Sequence, residues 1–412
     1  MLIPISLKKY IKGWKIIWLF NLEDKKIIFF QIYIIYFLFF ILIFSIKNAI
    51  SEFKDNDYNF KKIEIFYILC SKGILLNKKQ YKRNNNPKIS IISPVFNKEK
   101  YLLRYLRSIQ NQFFDDIEII LVDDNSNDYS LDKINKLMEK EGRILLIKHK
   151  KNRGTLRSRN DGVFFSTGEY LIFLDPDDLL SFGILTTCYN IANKNDYEML
   201  RFNIYEGNGK ITLNILINNI INREIFQPDL YLYLFYGIGI LKQLDYFISN
   251  KLIKRVLFVK ALNLIDKYYL SNFMIDCEDG LINFMLYRIS NSYYFIKRIG
   301  YYYLINKNSI TKKIKKQFIQ RIKSNFLYLK FLFLNTKNNA LEKDIINYVF
   351  LEIYKVNKEI FIKIFNEVND IKFYKEIIDL FLNCKYISFK VTEILNNIIL
   401  IIKKKYYKMR LK

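Results

Sequence analysis

Between Pro87 and Asp178, short β-branched apolar runs alternate with stretches whose apolar residues fall at helical spacing, and nothing else in the chain narrows its fold as much. Ile89 to Phe96 (ISIISPVF) reads as a strand, and Lys98 to Gln112 as a helix carrying Leu102, Leu103, Leu106 and Ile109 on one face. Ile117 to Val122 is a second strand, Asp132 to Lys140 a helix, and Ile144 to Lys148 a third strand. Thr155 to Ser166 is helical again, and Tyr170 to Leu174 forms a fourth strand that stops at Asp175-Pro176-Asp177-Asp178. Such alternation predicts a parallel sheet covered on both faces. The Asn run and proline of KRNNNP place its start at Pro87.

In open α/β sheets ligands bind beyond the carboxyl ends of the strands. Asp123, Asp124, Asp175, Asp177 and Asp178 all fall at such ends. After the first strand the chain reads Ser93-Pro94-Val95-Phe96-Asn97, with none of the glycines of a dinucleotide or P-loop motif. Carboxylates gathered at one edge repel one another unless a cation sits among them, and hard oxygen ligands favour Mg²⁺ or Mn²⁺. Such an ion is most useful where it neutralises the charge on a departing nucleoside diphosphate. Asp, Asn and Pro also favour plain strand-end turns, so local sequence alone leaves both readings open.

The chain of 412 residues has only four cysteines, with no C-x-x-C pair, and one histidine, His149. Multi-histidine metal sites are thereby excluded, and His149 is expected to be structural. The net charge of +26 is spread as Lys among Ile and Asn along the whole length. With no helix-turn-helix, zinc-finger or RNP signature beside it, no nucleic-acid partner is expected, whereas an anionic lipid surface suits the charge.

Residues 27–46 (IIFFQIYIIYFLFFILIFSI) are apolar over the length a helix needs to cross hydrocarbon, with Lys25, Lys26 and Lys47 at their ends. This predicts a single-pass membrane protein with a retained N-terminal anchor. Six lysines before the span lean toward a cytoplasmic N-terminus and a body on the far side, as in a Golgi or endoplasmic-reticulum protein with a lumenal catalytic domain.

The stretch ISIISPVFNKEKYLLRYLRSIQNQFFDDIEIILVDDNSND, followed by NRGTLRSRNDGVFFSTGEYLIFLDPDD, resembles the nucleotide-sugar half of family 2 glycosyltransferases, over about residues 88–200. Four motifs occur in the family's order: a Pro-Val-Tyr-Asn-like opening with Phe96 in place of Tyr, Asp-Asp-x-Ser, Arg-Asn-x-Gly and Asp-x-Asp. The resemblance implies an α/β GT-A (Rossmann-like) fold, a mixed, mostly parallel sheet flanked by helices. The domain plan expected is a basic tail (1–26), a transmembrane helix (27–46), a linker (47–86), a GT-A domain (87–310) and a helical C-terminal region (311–412). Within the GT-A domain, 87–200 is the nucleotide-sugar half and 201–310 the acceptor half.

Carried over position by position, the resemblance implies that Pro94, Phe96 and Asn97 line the nucleotide and that Asp124 accepts from the base. Arg159 lies on the diphosphate side, Asp175 near ribose and metal, and Asp177 is the principal ligand of Mn²⁺ or Mg²⁺. Ser249 to Arg255 resembles the family's Asn-Lys-Leu segment. In Asp276-Cys277-Glu278-Asp279-Gly280 the family's Glu-Asp pair points to Asp279 as general base, although a plain helix cap accounts for the same acids. Arg298 to Tyr303 and Asn306 to Thr311 resemble a flexible closing segment, with Asn306 and Lys307 where His or Arg is usual.

The activity implied is inverting, metal-dependent transfer from a nucleotide-diphosphate sugar, a UDP-sugar first, to a hydroxyl of a glycan or lipid-linked acceptor. A polyprenyl-phosphate sugar synthase is the alternative, and a non-catalytic scaffold of the same fold a second. After Thr311, helical spacing continues at Ile322, Phe326, Leu329 and Phe333, and the basic end after Ile394–Ile402 suits an interfacial helix.

Overall fold

The structure, a computed structural model, describes residues 86–207, 214–215, 223–226, 247–274, 277–304 and some helical positions between 324 and 335. The chain divides into Met1–Lys62 and Ile63–Lys412, and every described residue belongs to the second unit. The apolar stretch 27–46, the linker up to residue 85, and most of 311–412 lie outside the described residues, as do Ile322, Phe326, Leu329 and Phe333. Among the described residues no helix is long and apolar enough to cross a membrane.

β1 (Ile89–Val95) and β2 (Ile117–Asp123) are buried along almost their whole length, as strands covered on both faces must be. β3 (Ile144–Lys148) pairs with β2, and β4 (Tyr170–Phe173) with β1, all in parallel. The connections are α1 (Leu102–Gln110), α2 (Ser130–Met138) and α3 (Thr155–Phe165). These elements lie within a few residues of the expected ones. Because the chain proceeds outward from β1 to β3 and then returns to β1's other side, a crevice opens beyond the carboxyl ends of β1 and β4.

Two local details hold α3 against the sheet. Gly162 has no side chain to keep it away from β1, since a Cβ there would come 2.5 Å from Ile92 Cγ2. Buried Glu118 accepts from Ser90 Oγ at 2.6 Å, Thr167 N at 2.6 Å and Gly168 N at 3.1 Å, which satisfies the turn between α3 and β4. Pro94 is tolerated in the central strand because pairing with β4 ends at Ile92–Phe173, two residues before the missing N–H.

The rest of the domain comprises β5 (Leu179–Leu180), α4 (Ile184–Asn195), β6 (Met199–Gly207), β7 (Asn214–Ile215), β8 (Arg223–Phe226) and β9 (Lys251–Lys254). It ends with α5 (Arg255–Leu264), α6 (Lys267–Ser271), α7 (Glu278–Ile289) and β10 (Ser292–Leu304). The sheet runs β3-β2-β1-β4-β9-β6-β10-β5, with β7 on β6 and β8 on β10. β9 lies antiparallel between β4 and β6 and so joins the two halves into one sheet.

Mostly parallel pairing holds only for β1 to β4; beyond them only β6 and β10 are parallel among the described strands. The strand that returns from β6 to β7 does so within a few residues, too few for the crossover that a parallel pair requires. A second departure concerns Arg298 to Tyr303, which lie inside β10 rather than in a closing loop, with Tyr301 and Tyr302 buried. Their Tyr and Ile content favours a pleated, half-buried strand, and β6 and β5 supply its partners. Residues 305–311 are outside the described set.

α7 is buried from Gly280 to Tyr287, the state expected of a helix apolar all round. Part of its cover comes from Phe331, which is buried, as Tyr328 and Leu332 are. The Phe331 ring lies 5.1 Å from Tyr269 and 5.6 Å from Phe284.

Candidate active site

Parallel register sets the ends of β1 and β2 side by side, Val95 opposite Asp123, and Asp124 N donates to Val95 O at 2.8 Å. Asn97 follows with φ of 54°, a left-handed turn that Asn tolerates, and its Oδ1 accepts from Asn127 N at 2.8 Å. Pro94 and Phe96 are half-buried at this exit and Asn97 is exposed. The three residues expected to line a nucleotide thus stand at the mouth of the crevice.

Asp124 holds the next loop in shape. Its Oδ1 faces His149 Nδ1 at 2.7 Å and accepts from Arg153 N at 2.8 Å, while Oδ2 accepts from Gly154 N at 2.8 Å. Gly154 has φ of +86°, which only glycine adopts without strain, and it opens α3. His149 Nε2 meets Asp161 at 3.1 Å, so the single histidine is a brace between two carboxylates, as expected of a structural residue.

Further along α3, buried Arg159 reaches across the crevice. Its guanidinium bonds Asp279 Oδ1 with one nitrogen and Asp175 Oδ1 at 3.2 Å with another, and lies 3.9 Å from Glu278. Burial alone pulls this guanidinium's pKa down, but Asp279, Asp175 and Glu278 together raise it well above its ordinary value. One side chain therefore ties the strand-end acid of the first half to the helix-start acids of the second. Asp279 Oδ2 also accepts from Ile248 N at 3.2 Å. Buried Lys251 steadies that turn by donating to Phe247 O and to Asn250 Oδ1.

At the end of β4 the acids divide. Asp175 keeps about a third of its side chain in solvent (35%), yet the surrounding protein desolvates it, and its pKa is raised by that desolvation. Arg159 and Lys98 oppose the rise, while Asp177 and Asp279 add to it. Asp178 points inward, 2% exposed, and accepts from Tyr301 OH at 2.7 Å and Leu304 N at 2.8 Å. Burial pushes its carboxyl well above the usual range, and Asp177 and Asp175 reinforce the shift.

Asp177 points the other way. Lys98 Nζ donates to Asp177 Oδ2 at 2.5 Å, and Arg104 donates to the Asp177 carbonyl at 2.5 Å. Sequence pattern gives no sign of the roles of Lys98 and Arg104, and it sets Tyr301 in a closing segment rather than against Asp178. Lys98 does adjoin the Phe96-Asn97 motif, but a partner 79 positions away gives no local signal.

Among the described residues no group of three or more His, Cys, Asp or Glu is placed to hold a metal unaided. An ion that arrives on a diphosphate needs fewer protein ligands, since Mg²⁺ commonly takes one or two carboxylates and fills its shell with phosphate oxygens and water. Asp175 and Asp177 flank Pro176 at one strand end, with Asp175 a third open to solvent, and fit that requirement.

The switch point of this sheet opens a crevice of the kind in which α/β proteins bind ligands, and acids from both sides of it gather on one guanidinium. Residues 90–258 match the family model for glycosyl transferase family 2. An uncharacterized glycosyltransferase of Haemophilus influenzae is 39% identical over 29% of this chain. A Campylobacter jejuni protein, GalNAc(5)-diNAcBac-PP-undecaprenol beta-1,3-glucosyltransferase, is 38% identical over 26% of it. The matches span 48% and 35% of these two relatives' own lengths. Staphylococcus aureus TarS (residues 1–349), solved in complex with UDP-GlcNAc, shares the fold at a TM-score of 0.58 and 17% identity. The likeness covers 78% of this chain and 90% of that one.

Proposed function

We propose that this protein is an inverting glycosyltransferase that moves a sugar from a UDP-sugar to a hydroxyl of a glycan or lipid-linked glycan. The observation that carries the reading is the Arg159 bridge, which holds Asp279 of the acceptor half beside Asp175 of the donor half. A base directed at an acceptor hydroxyl belongs at that position. A phosphate acceptor, as in a polyprenyl-phosphate sugar synthase, is already ionised and needs no such base.

In this reading Pro94, Phe96 and Asn97 line the nucleotide, Asp124 receives the base edge, and Arg159 and Asp175 face the diphosphate and ribose. Asp279 is held by Arg159 and the Ile248 N–H, and a carboxylate with about four lone-pair sites keeps others free for a proton. As the acceptor oxygen bonds to the anomeric carbon, its proton passes to Asp279 and the bond from that carbon to the diphosphate oxygen breaks on the opposite face. One displacement inverts the configuration. The anomeric carbon gains oxocarbenium character on the way. Asp175 and Asp177 would hold Mn²⁺ or Mg²⁺, whose bound charge offsets that of the leaving diphosphate. The UDP donor is supported by the fold shared with a UDP-GlcNAc-bound structure, and the lipid-linked acceptor by the name of the Campylobacter relative.

We place residues 27–46 in a membrane as a single anchor, supported by their apolar length, with the domain on the lumenal side. Resistance of the full chain to alkaline carbonate extraction tests the anchor. The activity is tested by nucleotide release from UDP- and GDP-sugars with Mn²⁺ or EDTA, beside Asp177→Ala. Metal-dependent release from one donor, lost in the variant, is expected. A folded protein that binds and turns over none is a non-catalytic scaffold.

A further inference from the structure

Within that reading, Asp177 is a metal ligand, yet its carboxylate already has a cation on it. Lys98 Nζ lies 2.5 Å from Asp177 Oδ2, with both side chains largely withdrawn from water, 22% and 14% exposed. The lysine is not a stray surface group. Its backbone N donates to Ser130 Oγ at 2.8 Å, the preceding Asn97 is fixed in a left-handed turn, and its ammonium lies 5.9 Å from the centre of the Tyr101 ring. Arg104, over the same ring at 4.7 Å, grips the Asp177 carbonyl. The loop between β1 and α1 therefore holds Asp177 by side chain and backbone together.

We propose that Lys98 is a built-in counter-ion that occupies the divalent ion's place on Asp177 until the donor arrives, so that metal and UDP-sugar bind together rather than metal first. Four carboxylates, Asp175, Asp177, Glu278 and Asp279, meet two cations, Arg159 and Lys98, at this crevice. A divalent ion alone must displace Lys98 from Asp177 and leave the ammonium beside a new positive charge. When the ion comes with a diphosphate, the released ammonium gains a phosphate oxygen as a partner, and the penalty disappears. A compact ammonium on a flexible stem suits such an exchange better than a rigid guanidinium fork.

The test is Mn²⁺ binding to the full chain, followed by the electron paramagnetic resonance of free Mn²⁺, with and without UDP. Lys98→Met is expected to bind Mn²⁺ on the order of tenfold more tightly than wild type without UDP, the factor that corresponds to about 1.4 kcal/mol of competing ion pair. Saturating UDP is expected to erase most of that difference. Lys98→Arg keeps the charge and should bind Mn²⁺ as weakly as wild type, while Asp177→Asn should lose the site. If Lys98→Met binds no more tightly while Asp177→Asn loses binding, Lys98 is no competitor and this inference alone is wrong. If Asp177→Asn binds as well as wild type, the metal assignment fails, and the counter-ion role fails with it.

Discussion

Asp279 is held at both oxygens, by a side chain from α3 and by a backbone N–H from the turn before β9. Asp279→Asn keeps the size and most of this geometry and removes the basicity. It should lower kcat on the order of 10² to 10⁴-fold with little change in the donor KM, as measured by steady-state nucleotide release. Arg159→Met is a different lesion. It leaves Asp175 and Asp279 without their shared counter-charge, and because both carboxylates keep some contact with solvent it should cost about 1–3 kcal/mol of stability, read from the urea midpoint. The acids at the strand ends were legible in the sequence, because an apolar run that stops at Asp marks both a strand and its carboxyl end. Their partners were not. Arg159 entered only through a family resemblance, and the Lys98–Asp177 and Tyr301–Asp178 contacts join residues 79 and 123 positions apart, which no local pattern encodes.

At the level of elements, β1 to β4 stand out because each is an apolar run set between stretches of helical spacing, although β3 is only half-covered and β4 is short. β5 and β9, two and four residues long, show no period at all, and the antiparallel half of the sheet depends on them. In β10 the strand propensity of the Tyr and Ile residues outweighs the motif likeness that points to a closing loop. The contact between α3 and β1 gives this scale its own test. Gly162→Ala places a methyl 2.5 Å from Ile92 Cγ2 and should destabilise by about 1–3 kcal/mol. Gly154→Ala, at φ of +86° and with a Cβ that would meet the Phe273 ring at 3.1 Å, should cost about 1–3 kcal/mol. Both are read from urea midpoints, and the second should also loosen the Asp124 loop, seen as faster amide exchange at residues 149–154.

Across the molecule, buried acidic groups that stay neutral set the response to alkali. Burial pushes the Cys188 thiol up to about 12, and burial followed by nearby carboxylates raises the Tyr301 phenol well above its ordinary value. Burial does the same for Tyr105, against a hydrogen bond from Ser93. Each folded value exceeds the unfolded one, so the stability these groups contribute is fully present below about pH 8.5 and is lost as pH rises through the range where the unfolded chain releases protons. Urea midpoints should therefore fall steadily above about pH 9, and phenolate absorbance of these tyrosines should rise only as the fold is lost. Cys188 should resist alkylation at pH 8 until the protein unfolds.

The position of β9 has a price in time. β4 is apolar throughout, and one of its two edges is covered by β9, which is made nearly eighty residues later in the chain. At about 5–20 residues per second, the ribosome leaves that edge open for several seconds, a sticky template for any neighbouring nascent strand. Rapid overproduction should thus drive this protein into inclusion bodies, and slower synthesis or a chaperone that masks strand edges should reduce that loss.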